Sequence, residues 1–274
     1  MVQLPSRSLP AETLNQLAQW QQGIDDLPTF AERKTKAVSE WSARNRMTEP
    51  AFVVVREILG AIAPGARGCA YCESSVGDTI DHFLSKTLYT DFTFRWANFV
   101  PACGSCQRVK NNTVLIYRAD TGQLYRVLEN QEPLAGDPVL IHPRQENPLQ
   151  YLRLRFPSCR FEPRADEGTQ EYERAKHTID FLKLNTRDSL RTARENAFGS
   201  FKARLIEYKT KKQAEVPEEE LRQLQRSLLG CNWQVVWEEM KSNVLHEPDP
   251  LPELVTLFQD AEEALTWHWH EVVV

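Results

Sequence analysis

Four of the six cysteines in this 274-residue chain stand in two pairs, Cys69-Ala-Tyr-Cys72 and Cys103-Gly-Ser-Cys106, with 30 residues between them. Each pair sets two thiols on one side of a tight turn, and two such pairs complete a tetrahedral four-thiolate zinc site. The insertion between them carries Thr79-Ile80-Asp81-His82-Phe83 and Trp96-Ala97-Asn98-Phe99-Val100-Pro101, and the second pair runs on into Gln107-Arg108-Val109-Lys110-Asn111-Asn112. Asp81 offers a hard anionic oxygen of the kind a magnesium-like ion takes while keeping several waters. His82 offers a base that can be neutral near pH 7. If Cys103 to Asn112 is helical, Gln107, Lys110 and Asn111 share one face through their three- and four-residue spacings. Cys159 and Cys231 stand alone and are expected to pack as small apolar side chains.

In this order (Asp-His, Asn, CxxC, carboxamide, lysine) the set resembles the HNH, or ββα-metal, nuclease motif, in which a zinc-stapled hairpin and helix surround one divalent ion. The resemblance implies phosphodiester hydrolysis, which needs a nucleophile made from water, charge stabilisation at the phosphate and protonation of a leaving oxygen. It gives His82 the activation of water, Asp81 the divalent ion, Asn98 the task of holding the loop and orienting the histidine, and Lys110 the neutralisation of phosphate charge. Where the family usually has His or Asn after the second CxxC, this chain has Gln107. Its extra methylene loosens the geometry, so Gln107 is one candidate for second metal ligand, with Asn111 or water as substitutes. Arg95, Arg108 and Lys110 are the expected nucleic-acid contacts, together with the basic run 202–212 (KARLIEYKTKK). Structural Zn2+ and catalytic Mg2+, or another divalent ion, are the implied cofactors.

The resemblance extends further, through Arg56-Glu57-Ile58-Leu59, the CAYCE run at Cys69–Glu73, Ile141-His142-Pro143 to Pro148, and Ala175–Asn185 with Arg191 and Arg194. These occur in the order seen in the PtuB-like HNH proteins of Septu-type and retron-associated antiviral defence, which act beside a separate ATPase. An effector nuclease with an ATPase partner is the implied role. The chain has no Gly-rich Walker-type loop, so nucleotide dependence would come from another chain. A zinc-stapled binding module with a degenerate catalytic site is the alternative from another class. A thiol redox protein is a third reading, and it leaves Asp81, His82 and Asn98 unexplained.

The elements that must position these residues suggest an α+β protein: a small zinc-stapled ββα centre flanked by N-terminal and C-terminal helices. Residues 1–66 form a helical lead-in, with two helices over 10–45 broken at Pro28 and a third from Pro50 to Ile62. Residues 67–128 hold the candidate core and two following strands that turn at Asp120–Gly122. Residues 129–169 are Pro-rich, expected as loop, strand, loop. Residues 170–274 return to helix, with predicted spans from 170 to Leu182, from Thr186 or Asp188 to Lys212, over Glu218–Leu229 and over Leu251–Trp269. His142, His177, His268 and His270 are expected in packing or partner contacts.

Net charge is −5, and 41% of residues are hydrophobic, which excludes disorder. No stretch approaches a membrane span, and the first residues lack the apolar run of a secretory signal, so a cytoplasmic protein is expected. The average conceals an asymmetry: residues 213–274 hold three basic against thirteen acidic side chains, net −10, and residues 1–212 sum to +5. A polyanionic partner would then meet the first 212 residues, and the acidic tail would shield the site or serve a protein partner.

Overall fold

The computed structural model describes residues 1–74 and 76–271 and is an α+β protein with 51% helix and 10% strand. The lead-in folds into α1 (Ala11–Asp25), α2 (Phe30–Arg44) and α3 (Pro50–Ile62). Thr29 caps α2 in a reciprocal box with Glu32, and Pro50 opens α3 at a position where no amide hydrogen is needed. Trp20, Trp41, Phe52, Phe94 and Phe99 from these helices and the following segment pack ring against ring, with centroids 5.1 to 6.4 Å apart.

A short antiparallel pair follows, β1 (Thr79–His82) against β2 (Phe99–Ala102), in the register Ile80↔Pro101 and His82↔Phe99, and the chain runs straight into α4 (Gly104–Lys110). The glycines flanking the first cysteine pair permit close backbone approach. A Cβ at Gly77 would lie 2.6 Å from the Gly68 carbonyl oxygen, and one at Gly68 2.5 Å from that of Pro64. Strands β3 (Leu115–Arg118), β4 (Leu124–Arg126) and β5 (Gly136–Pro138) form a second sheet in the order β4-β3-β5, and β6 (Leu152–Arg155) pairs with β7 (Arg160–Pro163). β5 and β7 fall where the Pro-rich segment was expected to be loop.

The C-terminal region contains α5 (Gln170–Phe181), α6 (Asp188–Gln213), α7 (Glu218–Leu229), α8 (Gln234–His246) and α9 (Pro252–Phe258). The expected helix over Leu251–Trp269 is broken: Asp260 takes a left-handed φ of 67° after α9, and only 3-10 turns follow at Glu262–Thr266 and Trp269–Glu271. α8 falls where no helix was expected. Buried side chains from all four sequence segments share one core, among them Phe52, Tyr71, Ile141 and Trp237. Among the described residues no helix is long and apolar enough to cross a membrane.

The charge asymmetry closes on itself. All five basic side chains of the run 202–212 bond within the chain: Lys202 to Glu253 (2.7 Å), Arg204 to the Ser227 hydroxyl (2.6 Å), Lys209 to the Thr256 carbonyl (3.1 Å), Lys211 to Glu220 and Lys212 to Glu263 (both 2.7 Å). Each basic side chain of the run 202–212 thus has a partner in the C-terminal segment, and the three paired with glutamates remain partly exposed.

Candidate functional site

Cys69, Cys72, Cys103 and Cys106 are all buried, with their sulfurs within 4.8 Å of one another. Four ligands about 2.3 Å from a tetrahedral zinc stand about 3.8 Å apart, and the Cys72 and Cys103 sulfurs are 3.8 Å apart. The donor set and spacing fit a structural zinc. Cys103 also caps α4, its sulfur accepting from the Cys106 amide at 3.4 Å. Arg187, at the start of α6, donates to the Cys106 sulfur at 3.3 Å and to the Leu182 carbonyl at 3.0 Å. Burial, then hydrogen bonds with the neighbouring thiols, push the Cys69 thiol well above its ordinary range. Hydrogen bonds from Cys106 and then Cys69 hold Cys103 far below it. Without a cation the cluster therefore shares protons, whereas a dication would let every thiol ionise.

The cysteine cluster is tied through Tyr71 and α4 to a cleft at the end of β1. Tyr71, inside the first knuckle and fully buried, donates its hydroxyl hydrogen to Asp81 Oδ2 at 2.7 Å. Lys110, at the other end of α4 from the second knuckle, lies 3.2 Å from the same oxygen and donates to the His82 carbonyl at 2.6 Å. Strand alternation sends Asp81 toward α4 and His82 toward α2, and the cleft opens where β1 ends between them. It holds about 200 Å³ and is lined by Trp41, Ile80, Asp81, His82, Ser85, Lys86, Gln107, Asn111 and Asn112.

His82 is held on two sides. Its Nε2 lies 2.8 Å from the Thr93 carbonyl oxygen, which can only accept, so Nε2 carries the hydrogen and Nδ1 the lone pair. Trp41 packs on the ring at a centroid distance of 4.1 Å. Burial, and next the Lys86 charge, lower the imidazole to about 3, so it is neutral at pH 7. Thr93 is itself positioned from α1: buried Gln21 donates to the Thr90 carbonyl at 3.0 Å and accepts from the Phe94 amide at 2.8 Å.

Asn98 spends its carboxamide on the loop after His82. It accepts from the Leu84 amide at 2.7 Å and donates to the Leu84 and Phe92 carbonyls, both at 2.9 Å. The loop so closed carries Ser85, whose hydroxyl donates to Asn112 at 2.9 Å, and Lys86, whose ammonium stands 5.9 Å over the Trp41 ring. Gln107 donates through Nε2 to the Ile80 carbonyl at 3.3 Å, which leaves its Oε1 as the acceptor beside the cleft. Asn111 ends α4 with a left-handed φ of 46°, so it leaves the helix face expected for it and reaches the cleft from the turn.

One expectation needs correction. Lys110 is 1% exposed with its ammonium committed to Asp81 and the His82 carbonyl, so it cannot meet a phosphate; it positions Asp81 and the His82 backbone. Arg95 is exposed outside the cleft lining, where it donates to the Asp91 carbonyl at 3.2 Å and lies 3.9 Å from Asp25. Arg108 is exposed on α4, outside the cleft lining. Sequence reasoning missed Lys86, Trp41, Tyr71 and Gln21. Only Lys86 had a local signal, four residues beyond His82 and in reach of the same space.

His142 stacks on Phe83 with centroids 4.0 Å apart and His177 on Phe181 at 5.0 Å, both in packing roles. His268 and His270 stack on each other at 5.4 Å beside Glu238.

No known family matches the chain, and no curated protein or solved structure shows significant similarity to it. The cleft must therefore be interpreted from its own chemistry.

Proposed function

We propose that the chain is a metal-dependent endonuclease of the HNH type, its β1–β2 hairpin and α4 forming the ββα-metal centre, hydrolysing phosphodiester bonds with DNA favoured over RNA. The observation that carries this is the meeting in one small cleft of a carboxylate, a neutral imidazole whose free nitrogen is Nδ1, a carboxamide oxygen and an uncommitted ammonium. The substrate phosphate enters beside Lys86, whose ammonium pairs with a non-bridging oxygen. His82 Nδ1 takes a proton from water as the water oxygen attacks phosphorus, the bond to the leaving oxygen breaks, and that oxygen is protonated from solvent. Thr93 keeps the imidazole in the required tautomer, and Trp41 fixes its plane. Asp81 Oδ1 and Gln107 Oε1 are hard oxygen donors fitted to a magnesium-like ion. When bound, that ion supplies charge stabilisation at the phosphate and at the leaving oxygen.

The PtuB-like resemblance supports placing this activity in an antiviral defence complex with a separate ATPase, in the cytoplasm. Purified protein with magnesium should nick plasmid DNA, and His82→Ala should lose at least about a hundredfold in rate, the usual contribution of a general base. Equal cleavage by both proteins would overturn the assignment.

A further inference from the structure

Around Asp81, positive charge outweighs negative. Asp81 is the only carboxylate among the described residues that line the cleft, and its Oδ2 already accepts from Tyr71 and faces Lys110, which is buried behind the lining. Lys86 adds a second ammonium, with no hydrogen-bonding or ion-pairing partner among the described residues and only the Trp41 ring beneath it. Its surroundings penalise its charge: burial lowers it, Asp81 offsets part of that, and Lys110 opposes Asp81. The one carboxylate of the lining is thus met by Lys110 from behind and by Lys86 from within the cleft, so a free dication approaching it finds its charge offset in a partly dehydrated space. A phosphodiester entering the same space finds an unpaired cation and brings an anionic oxygen.

We propose that the cleft takes up its divalent ion together with a substrate phosphodiester, Lys86 disfavouring the free ion and pairing with the phosphate that accompanies it. The inference rests on the nuclease reading and adds its order of assembly. Magnesium is commonly held by one or two carboxylates plus the phosphates of its substrate rather than by an all-protein cage, and Asp81 with Gln107 is a donor set of that incomplete kind.

The test is Mn2+ binding by electron paramagnetic resonance to zinc-saturated full-length protein, alone and with a short phosphorothioate DNA duplex. Wild-type protein should bind Mn2+ in the cleft at least about tenfold more tightly with the duplex than without it. Lys86→Met, which keeps the packing on Trp41, should tighten Mn2+ binding to the protein alone and weaken duplex binding. Lys86→Arg should retain the coupling, and Asp81→Asn should abolish the Mn2+ signal. Wild-type affinity for Mn2+ that is the same with and without duplex, alongside active cleavage, would overturn the inference and leave the nuclease reading standing. Failure to bind duplex together with absence of cleavage on DNA and RNA panels would overturn both. A Lys86→Met protein with unchanged Mn2+ and duplex affinities would remove Lys86 from the device.

Discussion

Asp81 receives two donors on a single oxygen, one from the zinc knuckle and one from the end of α4, so its other oxygen is the one left for chemistry. Such economy is easy to misread at the level of single residues. Lys110, spaced three residues from Gln107, suggests a solvated or phosphate-facing cation; folding instead buries it, because the carboxylate it neutralises sits beneath the helix. The four cysteines were legible from their spacing, and Asp81, His82 and Asn98 were singled out through the motif resemblance that their order carries. Trp41, Gln21 and Thr93 were not, since they meet His82 only through tertiary packing. Another histidine supplies a residue-scale prediction. His142, buried and accepting from the Arg144 amide at 3.1 Å, is lowered to about 4 by burial and then by the Arg144 charge. Between about pH 4 and the ordinary 6.5 the unfolded chain binds the proton and the folded one does not. Stability therefore falls as pH drops through that window, by on the order of 3 kcal/mol for this group. His142→Asn, which keeps an acceptor for the Arg144 amide, should show a shallower loss between pH 7 and pH 4 in urea unfolding. A slope equal to wild type would show that the group is not held neutral.

At the scale of elements, α6 joins the C-terminal half to the cysteine cluster. A zinc ion with four thiolates carries a net charge of −2, and Arg187 donates directly to one of those sulfurs. Arg194, two turns further along α6, is fully buried with its cation 4.8 Å from the Phe161 ring, and burial lowers it to about 10. Arg187→Gln should lower zinc affinity about tenfold or more, the usual effect of losing a group that supports a metal ligand. Competition against a chromophoric chelator reads this directly, and an unchanged affinity would confine Arg187 to its bond with the Leu182 carbonyl. Several helices were legible because caps, prolines and one-sided apolar spacing mark them. α8 lacked every such mark. It starts from Trp233 in a left-handed conformation without a side-chain cap, and its buried positions include Gln234, Glu239 and Lys241 beside Val236 and Trp237, so no apolar stripe stands out. β5 and β7 were hidden for a related reason: short strands in a Pro-rich segment take their pairing from the partner strand, β3 or β6, and not from their own composition.

For the molecule as a whole, the −10 of the last 62 residues is an internal counterweight. Three glutamates of the acidic tail pair with lysines of α6, and among the described residues none beyond Asn112 lines the cleft. The tail's hold is apolar rather than ionic, because exposed ion pairs are worth at most about 1 kcal/mol each, whereas Trp237, Phe258, Trp267 and Trp269 lie in the common core. Truncation after Lys212 should therefore unfold the protein, while the triple substitution Glu220→Gln, Glu253→Gln and Glu263→Gln should leave a cooperatively folding chain. Circular dichroism melts separate the two, and a soluble, folded truncation would show that the tail is a separate unit. The hydroxyl of Tyr71, reaching from the zinc knuckle to the cleft, has a practical corollary for anyone handling this protein. On the proposed nuclease reading, a strong chelator added to halt cleavage would strip the zinc that the four cysteines fit as well as the divalent ion of the cleft, and returning magnesium alone would leave the Asp81 support slack. Recovery would wait on trace zinc, so an apparently dead preparation could be revived or missed according to the purity of the buffer.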